Sequence, residues 1–144
     1  MTAARRGGFL VAKVHQAGGR VFARMLKKRG VAINPAQGRV LFVLWQEGPM
    51  PLGELAKKVS LKKSTLTNAV DRLEAAGEVV RVPSQTDRRQ IDVRLTPADR
   101  QTRKLYADVS REMSARFYRG IAEADIDRFE RTAERILANL EDEN

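Results

Sequence analysis

Cysteine is absent from all 144 residues, which excludes disulfides, thiolate metal sites and cysteine nucleophiles. Histidine occurs once. With no glycine-rich phosphate loop and no carboxylate pair at metal-ligand spacing, nothing in the chain supports an enzymatic reaction, a cofactor or a metal. Long apolar runs are missing too: Val40-Leu41-Phe42-Val43-Leu44-Trp45 is the longest, far short of the roughly 18 residues that span a bilayer. The Arg5-Arg6 start lacks the apolar run and small-residue cleavage site of a signal peptide. A cytoplasmic protein with no membrane partner is expected.

Acid is scarce at one end and abundant at the other. Residues 1–30 carry eight Lys/Arg and no acid, whereas residues 121–144 carry three against eight. The net charge is +9, and a balance this basic suggests an anionic partner. The opposite charges of the two ends suggest that the first helix lies against the last, of the same or a second subunit.

Helical periodicity covers most of the chain. From Gly8 to Arg29, Leu10, Val14, Ala17, Val21 and Met25 step by three or four, and Gly18-Gly19 marks an expected kink or close approach. Asn34 caps and Pro35 opens a helix running to Gln46, stopped by Gly48-Pro49. After Pro97, Leu105, Val109, Met113 and Phe117 recur every four residues; Ile126, Phe129, Ala133, Ile136, Leu137 and Leu140 line a last helix. Thr96, Pro97 and Asp99 approximate a capping box for the helix that follows them.

Between these helices the period switches twice. Leu52, Leu55, Ala56 and Val59 give a short helix; after Ser60-Leu61-Lys62-Lys63, Leu66, Ala69, Val70, Leu73 and Ala76 give a second, ended by Gly77. With the apolar residues turned to a core, Ser64, Asn68, Asp71 and Ala75 face outward, flanked by Thr65, Thr67 and Arg72. Such a small, donor-rich face suits a DNA major groove. Glu78–Val82 and the alternating Ile91–Leu95 then predict a hairpin whose tip carries Arg88 and Arg89, suited to a minor groove. Lys57, Lys58, Lys62, Lys63 and Arg81 are candidate phosphate contacts.

The run Ser64-Thr65-Leu66-Thr67-Asn68-Ala69-Val70-Asp71-Arg72-Leu73-Glu74-Ala75-Ala76-Gly77, followed by Arg81 and by Asp87-Arg88-Arg89-Gln90-Ile91-Asp92-Val93-Arg94-Leu95-Thr96, resembles the recognition helix and wing of the MarR family of bacterial regulators. Asn68 stands where many relatives carry a basic residue, Lys62 where a capping residue is usual, and Asp99 where Gly is common. The resemblance implies a mainly α fold with a small β-hairpin wing, a winged helix-turn-helix at residues 34–96, and a dimerisation region of long terminal helices at 1–33 and 97–144. It implies a homodimeric repressor that binds a palindromic promoter site in double-stranded DNA, with half-sites about one helical turn apart. It also implies that Asp71 pairs with a wing arginine, Arg89 or Arg88, in a bridge that includes Asp87. Relatives are often released by small aromatic or anionic effectors, and the corresponding region would draw on His15, Arg20, Phe22, Met25, Arg39 and Trp45. A non-specific architectural nucleic-acid-binding protein is the alternative, separated by competing a palindromic duplex against random duplex at fixed salt.

Overall fold

The computed structural model describes residues 4–142. Helix α1 (Gly7–Lys28) ends in Lys27 and Lys28, which complement the negative end of its dipole. It runs without interruption through Gly18 and Gly19. A Cβ placed on Gly19 would meet nothing within 4 Å. The helix closes at Gly30, whose φ of 74° lets the Val31 amide reach the Leu26 carbonyl at 3.0 Å. This turn folds Leu26 and Val31 into a small core with Val109.

Helix α2 (Pro35–Glu47) opens with the expected cap, and the exchange is reciprocal. The Gln37 amide donates to Asn34 Oδ1 at 2.9 Å and the Asn34 amide to Gln37 Oε1 at 2.8 Å, satisfying two otherwise unpaired donors. Strand β1 (Met50–Pro51) leads directly into α3 (Leu52–Val59). A turn through Ser60, held left-handed at φ 54°, connects α3 to α4 (Lys63–Ala75).

The C-terminus of α4 explains the glycine. Gly77, at φ 80°, donates to the Glu74 carbonyl while the Glu78 amide donates to Leu73 at 2.9 Å. This paired closure needs a left-handed residue that only glycine adopts freely. The chain then enters β2 (Val79–Pro83) and returns along β3 (Ile91–Leu95). These strands pair antiparallel, from Val79 opposite Leu95 to Pro83 opposite Ile91. Beyond the expected hairpin, β1 adds to the free edge of β3 through Met50 opposite Val93, giving sheet order β1-β3-β2.

Helix α5 (Asp99–Phe117) begins later than expected. Thr96 does not cap it: its hydroxyl donates back to the carbonyls of Gly77 and Glu78. The Asp99 carboxylate turns inward to Trp45, so the expected capping box is replaced by a tie to the wing root. Helix α6 (Glu123–Glu141) starts at Ala122 with no side-chain cap, and Glu123 and Asp125 fill its first turn.

The architecture is a winged helix-turn-helix with long helices before and after it in the chain. Its main core joins Val40, Leu41 and Leu44 of α2, Leu55 and Val59 of α3, Leu66, Ala69, Val70 and Leu73 of α4, and Val79 and Val93 of the sheet. The chain divides into compact units at residues 1–110 and 111–144. α1 and the first part of α5 thus belong with the helix-turn-helix, because Ile33 packs against both the main core and the Leu26 core. In the second unit Tyr118 donates to Glu130 at 2.8 Å, and its ring stands edge-on to Phe117 and Phe129. Among the described residues, no helix is long and apolar enough to cross a membrane.

Candidate nucleic-acid interface

Four buried residues of α4, Leu66, Ala69, Val70 and Leu73, fix which of its faces looks outward. Ser64, Thr65, Asn68, Asp71 and Arg72 are exposed and Thr67 is half-buried. Lys62 precedes the helix with no side-chain cap, and it and Lys63 are exposed. The structure therefore gathers the expected residues on one polar surface, with the first-turn amides unclaimed by any capping side chain.

The wing is tied to this helix through its root rather than its tip. Arg81, on β2, donates from Nη2 to Asp71 Oδ1 at 2.7 Å and from Nη1 to Glu74 Oε1 at 2.8 Å. Its backbone amide also donates to Glu74 Oε2 at 3.2 Å. The expected pairing of Asp71 with Arg89 or Arg88 is thus corrected: Arg81 lies opposite Val93 in the ladder, next to α4, whereas the arginines of the tip lie beyond the last pair of the strands. The same contacts give the Arg81 guanidinium two carboxylate partners.

Ser84 and Asp87 build the tip. The buried Ser84 hydroxyl accepts from the amides of Thr86 and Asp87 at 3.2 and 3.3 Å. Its own amide donates to the Gln90 carbonyl at 3.0 Å. Asp87 Oδ1 accepts the Arg89 amide at 3.0 Å, with the Arg89 Nε at 3.5 Å. Asp87 therefore shapes the turn within the tip and takes no part in a bridge to α4. It leaves the Arg89 side chain 92% exposed, and Arg88 is exposed beside it. Between wing and α3 lies an open cleft of about 670 Å³, lined by Leu52, Glu54, Lys57, Arg89 and Ile91 among others.

Lys58, expected at phosphate, bonds Glu47 at 2.7 Å, and that hydrogen bond, with the attraction of the carboxylate, raises its pKa. It fastens α3 to α2. Lys57 is exposed and lines the cleft.

Of the six residues expected around an effector, Phe22, Met25 and Trp45 are brought together around Tyr106 and its core, and no contact joins His15, Arg20 and Arg39 to them among the described residues. Phe22 and Trp45 both stand edge-on to Tyr106, with centroids 5.3 and 5.2 Å away, and Met25 packs on the neighbouring Leu26 core. His15 and Arg20 are exposed on α1, and Arg39 donates to the Val59 carbonyl at 3.4 Å. Tyr106, which ties this aromatic group together, was not singled out from sequence. Its signal was there: Gly38 on α2 is where its hydroxyl fits, 3.0 Å from the position a Cβ would take. Glu74 and Ser84 were also missed, because each acts through a backbone or side-chain hydrogen bond that periodicity does not encode.

Comparison with known proteins gives a consistent result. The model of the MarR family matches residues 33–91, which span α2 to the first residue of β3. The HTH-type transcriptional repressor IacR of Pseudomonas putida is 32% identical over 133 residues, covering 92% of this chain and 78% of the relative. Among solved structures, a mutant of E. coli MarR complexed with operator DNA superposes with a TM-score of 0.81 at 24% identity, over 90% of this chain and 92% of that one. Bordetella bronchiseptica BpsR, described with the regulation of its DNA binding by 6-hydroxynicotinic acid, superposes with a TM-score of 0.81 at 19% identity, over 94% and 97%.

Proposed function

The chain belongs to the MarR family and is a DNA-binding transcriptional regulator, and from that premise we propose that it is a homodimeric repressor that reads an inverted-repeat operator. The observation that carries this reading is the exposed polar face of α4 beside a wing whose tip projects Arg88 and Arg89. In this reading Ser64, Thr65, Thr67, Asn68 and Arg72 meet the major groove. Asn68 can form two hydrogen bonds to an adenine edge. Arg88 and Arg89 enter the flanking minor groove, where negative potential is focused. Lys57, Lys62 and Lys63 contact phosphate, a term that adds affinity without sequence preference. Residues 34–96 form the reading region.

Dimerisation is supported by apolar surface that the single chain leaves uncovered. On α1, Phe9, Leu10, Val11 and Val14 are exposed; on α6, Phe129, Ile136, Leu137 and Leu140 are exposed. Faces of this size on a monomer mark an association surface, and a two-fold partner made by 1–33 and 97–144 would cover them. Two copies then place two α4 helices at successive turns of the duplex. The repressor role is supported by the repressor IacR, and occupancy of a promoter is sufficient for it. Release by a small aromatic or anionic effector is supported by BpsR, whose DNA binding is regulated by 6-hydroxynicotinic acid. In this chain the aromatic group of Phe22, Trp45 and Tyr106 is the place where such a ring would compete with packing.

Selection of bound duplexes from a random pool tests the reading. A two-fold symmetric sequence with half-sites about one turn apart is expected. An unstructured pool, bound in proportion to charge and lost steeply with salt, overturns it in favour of an architectural protein.

A further inference from the structure

Beneath the root of the wing, two acids that the reading surface does not use come together, Asp99 buried and Glu78 half-buried. Glu78 sits between Gly77 and β2, and Asp99, 3% exposed, is the first residue of α5. One oxygen of each is satisfied: Asp99 Oδ2 accepts the Trp45 indole N–H at 2.7 Å, and Glu78 Oε1 accepts the Thr102 hydroxyl at 2.6 Å. The other two, Glu78 Oε2 and Asp99 Oδ1, are buried with no donor among the described residues, and Thr102, which holds Glu78, lies one turn along α5 from Asp99, so that helix face brings the two carboxyl groups together. Two ionised carboxylates in contact away from water repel strongly. A buried acceptor without a donor carries its full desolvation cost. A single proton removes both penalties.

We propose that Glu78 and Asp99 share one proton in an Oε2–H···Oδ1 bond, and that this bridge is a pH-sensitive latch joining the wing root to the start of α5. From α2 comes the Trp45 indole; from α5 come Thr102 and Arg103, the guanidinium of which stands 6.0 Å from the centre of the Trp45 ring. From the turn after β3 comes Thr96, which is bonded to the backbone carbonyls of Gly77 and Glu78. On α4, Glu74 and Asp71 are held by Arg81. Burial raises the pKa of Glu78, with Asp99 adding to the rise and the Thr102 hydrogen bond opposing it. An acid whose pKa is raised on folding stabilises fully below its ordinary value, here 4.5, and that stabilisation is lost as pH rises through the raised value. The latch is closed in acid and opens toward alkaline pH.

Trp45 is the only tryptophan, and its N–H ends on Asp99, so its emission reports the pair directly. Emission and thermal unfolding of the full chain, of Glu78→Gln and of Asp99→Asn are followed from acidic to mildly alkaline pH. The wild type is expected to shift its emission with one midpoint above 4.5 and to lose melting temperature over the same range. In Glu78→Gln the amide donates to Asp99 at every pH, so both transitions vanish and the variant melts at or above the wild type at the alkaline end. Asp99→Asn is expected to flatten both curves as well. Flat wild-type emission, or a transition that persists in both variants, overturns the proposal. So does a manganese or zinc salt that restores alkaline stability to the wild type and not to Glu78→Gln, since the two oxygens would then serve a cation.

Discussion

Helices α4 and α6 are both amphipathic, yet they have opposite fates within the chain. α4 buries Leu66, Ala69, Val70 and Leu73 against α2, α3 and the sheet, while α6 buries none of its residues. The difference is one of partners rather than of pattern. α4 lies in a unit whose elements close on one another, whereas the apolar residues of α6 find too little surface in residues 111–144 to be covered. Fixing α4 rigidly is what allows its outer face to present side chains in register. In the proposed dimer, the uncovered face of α6 is what would make association with a second chain favourable.

The sharpest way to break this comparison is to cut the same chemistry from both helices. Leu66→Ala removes a fully buried side chain, 0% exposed, and is expected to cost about 2–5 kcal/mol in denaturant unfolding. Leu137→Ala, at a residue 55% exposed, is expected to leave the folding of the single chain nearly unchanged and to make the melting temperature depend more steeply on protein concentration. Equal, concentration-independent losses would erase the distinction. The second test charges the uncovered face. Leu137→Glu combined with Leu140→Glu should sediment as a monomer and bind an operator roughly a hundredfold more weakly, because two linked reading helices lose their shared avidity.

Two smaller tests compare the tip of the wing with its root. Arg89→Ala should weaken duplex binding and lower the salt slope by about one per subunit, with the melting temperature unchanged, because its side chain is 92% exposed. Arg81→Ala should do the reverse, costing about 1 kcal/mol or less in stability because Asp71 and Glu74 are exposed partners. It should also raise hydrogen exchange in β2 without lowering the salt slope. If the two variants behaved alike, tip and root would not divide contact from support.

Much of the reading unit was legible in the sequence, and the reasons are local. The spacing of Leu66, Ala69, Val70 and Leu73 fixes the buried face of α4, Asn34-Pro35 fixes the start of α2, and Gly77 fixes the end of α4, each within a few residues. What failed to show was decided by distance in space. Asp71 had three arginines within reach along the sequence, and only the ladder register places Arg81 rather than Arg89 beside it. A two-residue strand such as Met50-Pro51 has no period to detect. The partnership of Glu78 and Asp99 joins residues 21 positions apart, and acids in a sequence read as surface. The departure at Asp99 was visible, but its meaning depended on Trp45 lying opposite.

Pro51 ends β1 and immediately precedes the first turn of α3. The outer strand of the wing and the front helix of the motif are therefore welded at a single backbone joint, and any sway of the hairpin must drag α3 along with it. An opening between protein and duplex that displaced the arginine tip would tilt the scaffold under α4 in the same movement. Such a reader lets go as one lever, not finger by finger.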